Sequence, residues 1–218
     1  MYELFILSLL VRFPAHGYLI AHIVNDMIGP YAKISNGRLY PLLAKLEESG
    51  LIEASEEADP EQRGERNSRG YQITEAGRTR FHALMLDTTS NPGEYQRIFM
   101  HKVPVLYLLQ PFERLYLIDH YINYCQAHVL HLTAEAEDLA TKQYRGYERE
   151  STSLTATLGV MKHVEDQWQR EVAWALRLRQ EELVRQQGND AQEEQTGVSV
   201  PHKKRNHNQN QNHNRNRN

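Results

Sequence analysis

Four residues within one short window, His120, Cys125, His128 and His131, are of the types that hold a metal ion. On a helix, Cys125, His128 and His131 share a face, because positions three and four apart are neighbours there. No carboxylate or second cysteine completes a tetrahedral shell, and a small buried thiol is ordinary core material. No metal is therefore assigned. A nucleophile elbow, a phosphate-cradling glycine loop and a paired motif such as HExxH are all missing. The chain is not read as an enzyme, and no cofactor is expected.

A second set of residues suits a polyanion. In SNGRLYPLLAKLEESGLI, Ser35–Ile52, the residues Leu39, Leu42, Leu43 and Leu46 follow helical spacing, and Gly50 is placed to end the helix. Turned at ~100° per residue with the leucines inward, Gly37, Pro41 and Ala44 fall on the opposite face. Arg38 and Lys45 flank them on one side and Tyr40 on the other. Pro41 forfeits a bond to the Gly37 carbonyl, a loss of up to ~3 kcal/mol inside a helix. Small residues between cations and a phenol let a partner approach closely. A B-DNA major groove, ~12 Å wide, admits such a helix. Arginine and lysine reach phosphates or guanine edges, while Tyr40 and Ser35 hydrogen-bond to phosphate oxygens. The plainer alternative is a solvated helix with a tolerated proline.

The elements that would hold this face follow from patterning. The apolar first helix, Tyr2–Phe13, has no polar side and needs cover from several directions, from the second section or another subunit as well as its own domain. A second helix, Tyr18–Ile28, carries Ile20, Ile23, Val24, Met27 and Ile28 on one stripe and ends at Gly29-Pro30. The third begins at Ser35, an N-cap type. Ile52 and Ala54, then Tyr71 and Ile73, alternate as a two-stranded hairpin with a long polar tip. Thr74 caps a fourth helix through about Leu86. The hairpin's loop and return strand carry Arg63, Arg66 and Arg69. A helix–turn–helix followed by a basic-tipped hairpin is a winged helix, with one helix for the major groove and a wing beside the backbone.

These residues resemble the PadR family of transcriptional regulators. HGY (His16–Tyr18), SNGRLYPLLAKLEESGLI and RGYQITEAG (Arg69–Gly77) carry the likeness, with LYPLL its most specific part. EYQRIFMHK onward is similar to the dimerisation region of larger members, so the resemblance spans roughly residues 1–185. It implies DNA binding through Ser35, Asn36, Arg38, Tyr40 and Lys45 in the groove. His16 and Tyr18 would touch backbone phosphate, and Arg66 and Arg69 would serve the wing. It also implies a homodimer and a small effector, in some members a phenolic acid. Asn36 stands where the family often has proline. Glu53, Glu56, Glu57, Asp59 and Glu61 would repel phosphate, which shifts a wing contact toward Arg66–Arg69 and away from Arg63.

The bulk numbers set the frame. A chain of 218 residues holds one or two domains at ~100–200 residues each. Lys+Arg number 25 against 28 Asp+Glu, a net −3, so nucleic-acid binding has to come from local clusters rather than a basic chain. One cysteine suits a reducing cytoplasm. LFILSLLV lacks the flanks of a signal peptide and falls short of the ~18 apolar residues of a span. A cytoplasmic protein with no membrane partner is expected.

The overall expectation is a mainly α chain. Residues 1–90 form a winged helix-turn-helix domain of three helices and a two-stranded wing. Residues 94–185 form a helical dimerisation domain, with the NPGE turn between the two. Residues 186–218 form a disordered Asn/His-rich tail. Leu115, Ile118, Ile122, Cys125, Val129, Leu132, Ala136 and Leu139 keep a heptad seam. A second long helix, to about Val184, carries Leu154, Leu158, Met161, Val164, Trp168, Val172 and Ala175. The two helices either pair within one chain or build a dimer. With Leu4, Leu7 and Val11 of the first helix, they are expected to form the interface of a dimer on a palindromic double-stranded operator. Beside the seam, Leu117, Tyr121, Tyr124, His128 and His131 either line a pocket for an aromatic effector or simply pack. The function read from the sequence is a dimeric repressor released by a small ligand. The alternative is a winged-helix module that binds protein rather than DNA.

Overall fold

The computed structural model describes residues 1–29, 33–56, 69–141 and 152–195, with side chains to residue 188. Helix α1 (Tyr2–Leu10) buries every residue from Leu4 to Leu10. It stops short of the expected Phe13 because a residue preceding proline, here Pro14, is pushed out of helical geometry. Strand β1 (Ala15–His16) follows, then α2 (Gly17–Ile28), α3 (Asn36–Glu48), β2 (Ile52–Ser55), β3 (Gly70–Ile73) and α4 (Glu75–Leu86).

The expected two-stranded wing, β2 and β3, is joined by β1 in a three-stranded sheet of order β1-β3-β2. Ala15 and His16 pair antiparallel with Tyr71 and Gly70, while Ile52 and Ala54 oppose Ile73 and Tyr71 on the other side. Two residues are too few to show an alternation, which is why β1 escapes a pattern search. Ile52 is buried as expected, but Ala54, on the same face, is exposed. Thr74 caps α4 as its sequence implies. Its Oγ1 accepts from the Gly77 N–H at 3.0 Å and donates to the Gly50 carbonyl at 2.6 Å. Gly50 itself sits at φ +69°, the left-handed turn that stops α3.

Beyond α4, Asn91 adopts a left-handed conformation ahead of a 3₁₀ turn, Pro92–Glu94. Helix α5 (Tyr95–Lys102), a 3₁₀ segment (Val103–Leu108), α6 (Pro111–Thr141) and α7 (Thr152–Gln195) complete the chain. Glu113 closes the start of α6 by accepting from the Gln110 N–H at 2.9 Å. The long helices pair antiparallel within the chain. Arg114 bonds Glu182, Asp119 bonds Arg179, Tyr121 bonds Glu171 and Thr133 bonds Glu165. Helix α7 runs past Val184, where the apolar pattern stops. Glutamine, glutamate and arginine are good helix formers, and extending an existing helix costs little. The expected tail is thus helical through residue 195; its remainder lies outside the described residues.

One apolar core runs through both parts of the chain, from Leu4 and Leu7 through Ile52 and Phe81 to Phe99, Leu106 and Ile118. Helix α1 is its hub. Phe5 meets His101 of α5 edge-on at 4.2 Å, and Glu3 accepts from Nε and Nη2 of Arg80 on α4 at 2.8 and 3.1 Å. His82 of α4 bonds Glu113 of α6 at 2.8 Å. Lys102, only 1 % exposed, donates to the Asp87 carbonyl at 2.6 Å. Burial pulls its ammonium down to about 8, against the opposing pull of the Asp87 charge.

The aromatic stripe beside the heptad seam is packed rather than hollow. Tyr121 lies flat on Phe99 at 3.9 Å and donates to Glu171 at 2.8 Å, and His128 stacks on Trp168 at 4.1 Å. Tyr124 donates to the Pro92 carbonyl at 3.0 Å, and His120 meets the Tyr95 hydroxyl at 2.9 Å. Burial, and then the neighbouring His131 charge, lowers His128, which favours the neutral ring that stacks. Burial pushes the Cys125 thiol up to about 11, so it stays protonated in the core. Each of these groups has structural work in place of a shared ligand set. Among the described residues, no helix is long and apolar enough to cross a membrane.

Candidate nucleic-acid interface

Helix α3 is held from behind and bare in front. Leu39, Leu43 and Leu46 are buried and Leu42 is half-buried, whereas Gly37, Arg38, Tyr40, Pro41, Ala44 and Lys45 are exposed. Pro41 lies on the outer face, so the Gly37 carbonyl that it leaves unbonded faces water. The loss is smaller there than in a buried helix. A Cβ on Gly37 would meet nothing closer than Ser35 Oγ at 3.9 Å, so the fold itself does not require glycine at that position. Ser35 takes the N-cap position with extended backbone, but its side chain makes no capping bond. Ser35 and Asn36 are both exposed at the leading end of the helix.

Tyr40 has a second employment. A Cβ on Gly17 would come within 2.9 Å of Tyr40 Cε1, so the Tyr40 ring rests against the start of α2 and would have to swing aside for a larger residue there. That contact gives the HGY motif a steric meaning. Tyr18, the next residue, is 60 % exposed, as a phosphate contact requires. His16 is not: it is 2 % exposed, paired in β1 against Gly70. The expectation that His16 touches phosphate is corrected, since its backbone belongs to a strand that burial encloses. Lys33, exposed just ahead of the helix cap, adds a cation that helical periodicity alone did not single out. The signal was its position beside the cap.

Arg69 is exposed but engaged. Its Nη2 donates to Glu47 of α3 at 2.6 Å, and its guanidinium lies 5.8 Å from the Tyr71 ring centre. Much of its charge is therefore spent on bracing the wing root against α3. Arg66 and Arg63 lie outside the described residues. The outward row of α3 is thus the best-defined part of the face, with Arg38 and Lys45 as its cations.

Residues 6–83 match the model of the transcriptional regulator PadR-like family. Over those residues the chain is similar to a PadR-like winged helix. No curated protein matches the sequence. Among solved structures, the chain is similar to Bacillus subtilis PadR in complex with operator DNA, at 20 % identity, covering 83 % of this chain and 98 % of that one, with a TM-score of 0.35. The same PadR in complex with p-coumaric acid gives 19 % identity, coverage of 83 % and 94 %, and a TM-score of 0.34. A transcriptional regulator from Clostridium thermocellum gives 28 % identity over 38 % of this chain and 74 % of that one, at 0.31.

The residues expected at a dimer interface divide into two groups. Leu4, Leu7, Ile118 and Ile122 are buried within one chain. Helices α2 and α4, together with α7, supply the cover that a second subunit was expected to give, so these four are corrected to core. Val11, Leu115, Val129, Leu132, Leu158, Met161, Trp168 and Val172 stay half-exposed. Val129 and Val172 line an open apolar groove of about 300 Å³ with Gln126, Leu130, Thr133 and Gln169, and Leu130 is 72 % exposed.

Proposed function

We propose that this chain is a cytoplasmic repressor that binds a palindromic double-stranded operator as a homodimer and is released by a small aromatic acid. The observation that carries it is the outward row of α3: Gly37, Pro41 and Ala44, flanked by Arg38, Lys45 and Tyr40, all exposed, on the helix that a PadR-like winged helix offers to DNA. Small centres let the backbone approach the groove floor, and the marginal cations answer phosphate or guanine. Ser35, Asn36 and Tyr18 extend the contact, and Arg66 and Arg69 belong to the wing side.

Arg38→Ala is expected to weaken binding to fragments selected from the host's genomic DNA by ~1–3 kcal/mol if the guanidinium reads a base. Loss of one phosphate contact would instead flatten the salt dependence by ~0.9 in its logarithmic slope. A mobility shift that is unaltered in both affinity and slope removes Arg38 from the site. The protein-binding alternative draws on the acidic Glu53 of the first wing strand, on Glu56 just past it and on the net charge of −3. Wild-type binding to duplex with no salt dependence would favour it.

For the dimer, the groove around Val129 and Val172, with Leu130 as a knob beside it, offers a self-complementary patch of the kind a two-fold axis needs. Sedimentation is expected to give twice the 25.4 kDa chain mass, and Leu130→Glu to return the single-chain mass. A single-chain mass for the unaltered protein would end the palindrome argument. The effector has a candidate space in a cavity of about 270 Å³ among α1, α4 and α5. Leu4, Leu84 and Ile98 supply apolar walls, and Lys102, held by the Asp87 carbonyl, and Arg80, paired with Glu3, line it together with Asp87. Repeating the mobility shift with aromatic acids tests release.

A further inference from the structure

We propose that Arg97 and Asn25 are positioning residues for α3: together they transmit the placement of α5 to the DNA-facing helix without touching DNA. This rests on the DNA-binding reading above.

The last carbonyls of a helix have no partner inside it. At the end of α2, the Ile28 carbonyl accepts from Arg97 Nη2 at 3.2 Å, although Arg97 belongs to α5, far along the chain. A cation at that end also complements the partial negative charge of the helix terminus. Gly29 then turns the chain at φ +96°. One turn back on α2, Asn25 closes on the residue that precedes the cap of α3. Its Oδ1 accepts from the Ile34 N–H at 2.7 Å, and its Nδ2 donates to the Ile34 carbonyl at 3.4 Å. Ile34 is itself buried. The start of α3 is thereby clamped to the end of α2, and the end of α2 is held by α5.

Both side chains are half-buried and off the outward row of α3, so neither competes for phosphate. Their effect has to appear as geometry. Helix α5 in turn packs through Tyr95 and Phe99 on the aromatic layer of α6 and α7. A shift of that layer relative to α2 would reach α3 through these three hydrogen bonds.

The test uses the full chain, genomic fragments selected by the wild type, and a scrambled duplex of equal length. Arg97→Ala and Asn25→Ala should each reduce the ratio of selected to scrambled affinity at least tenfold. Affinity for the scrambled duplex and its salt slope should not move, because Arg38 and Lys45 remain exposed. Arg97→Lys should recover most of the ratio, since an ammonium still donates to the Ile28 carbonyl. Where an alanine variant does not fold, Arg97→Gln against Arg97→Met makes the same comparison of donor present and donor absent. A ratio within twofold of wild type in every variant, or an equal loss on both duplexes, overturns the proposal while leaving the DNA reading intact. A wild type with no preference for any duplex removes the DNA reading, and this inference with it.

Discussion

Gly77→Ala is expected to destabilise the chain by roughly 3 kcal/mol, the upper end of what overpacking usually costs. A Cβ at that position would stand 2.0 Å from the Leu51 carbonyl oxygen and 2.6 Å from Ile73 Cγ1. The obstacle is backbone, and it is not free to retreat. The Leu51 carbonyl accepts from the Thr74 N–H at 3.1 Å, while the Leu51 N–H donates to the Leu46 carbonyl at 2.9 Å. Relief would break the joint where the end of α3, the root of the wing and the cap of α4 meet. For a chain of this size the midpoint of thermal unfolding should fall by about 6–12 °C. A fall of under 2 °C would mean that this joint yields far more easily than its hydrogen bonds imply.

Tyr121→Ala is expected to cost about 3–5 kcal/mol, as for other large aromatic truncations in a core. The ring is fully buried, stacked on Phe99 and edge-on to Trp174 at 6.1 Å, with Tyr95 and Tyr124 beside it. Its removal opens a void where α5, α6 and α7 converge and strands the Glu171 carboxylate. Tyr121→Phe separates the two losses, because it keeps every ring contact and drops only the hydroxyl's bonds, chiefly that to Glu171, worth about 1.5 kcal/mol. Urea unfolding of the two variants measures the difference. Equal losses would assign the stabilisation to the hydrogen bond rather than to the stacked rings.

The parts of the fold that were legible share a property: each is announced by local chemistry. Ser35 and Gly50 bracket α3, Thr74 caps α4, and the leucines of α3 face inward as their spacing requires. The outward row of Gly37, Pro41 and Ala44 was legible for the same reason. What escaped depends on partners remote in sequence. Strand β1 exists only because Tyr71 and Gly70 come to pair with it, and this buries a histidine that a short motif placed at the surface. The heptad seam of α6 specifies an apolar mate without saying whose, and α7 of the same chain takes Ile118 and Ile122 into the core. A stripe of tyrosine and histidine reads alike whether its rings enclose space or fill it. Here Phe99 and Trp168 fill it. The Arg97–Ile28 and Asn25–Ile34 bonds carry no sequence signal at all, since any arginine and asparagine look the same until folded.

The continuous interior joining α1 to α5 bears on how a chain of this kind can diversify. A hybrid joined between α4 and α5 would inherit Phe5 from one parent and His101 from the other, and likewise Glu113 without its own His82. Mismatched halves of that kind rarely interlock. On the DNA-binding function proposed above, new operator preferences would arise by single exchanges along the bare side of α3, while the remainder of the body is inherited in one piece.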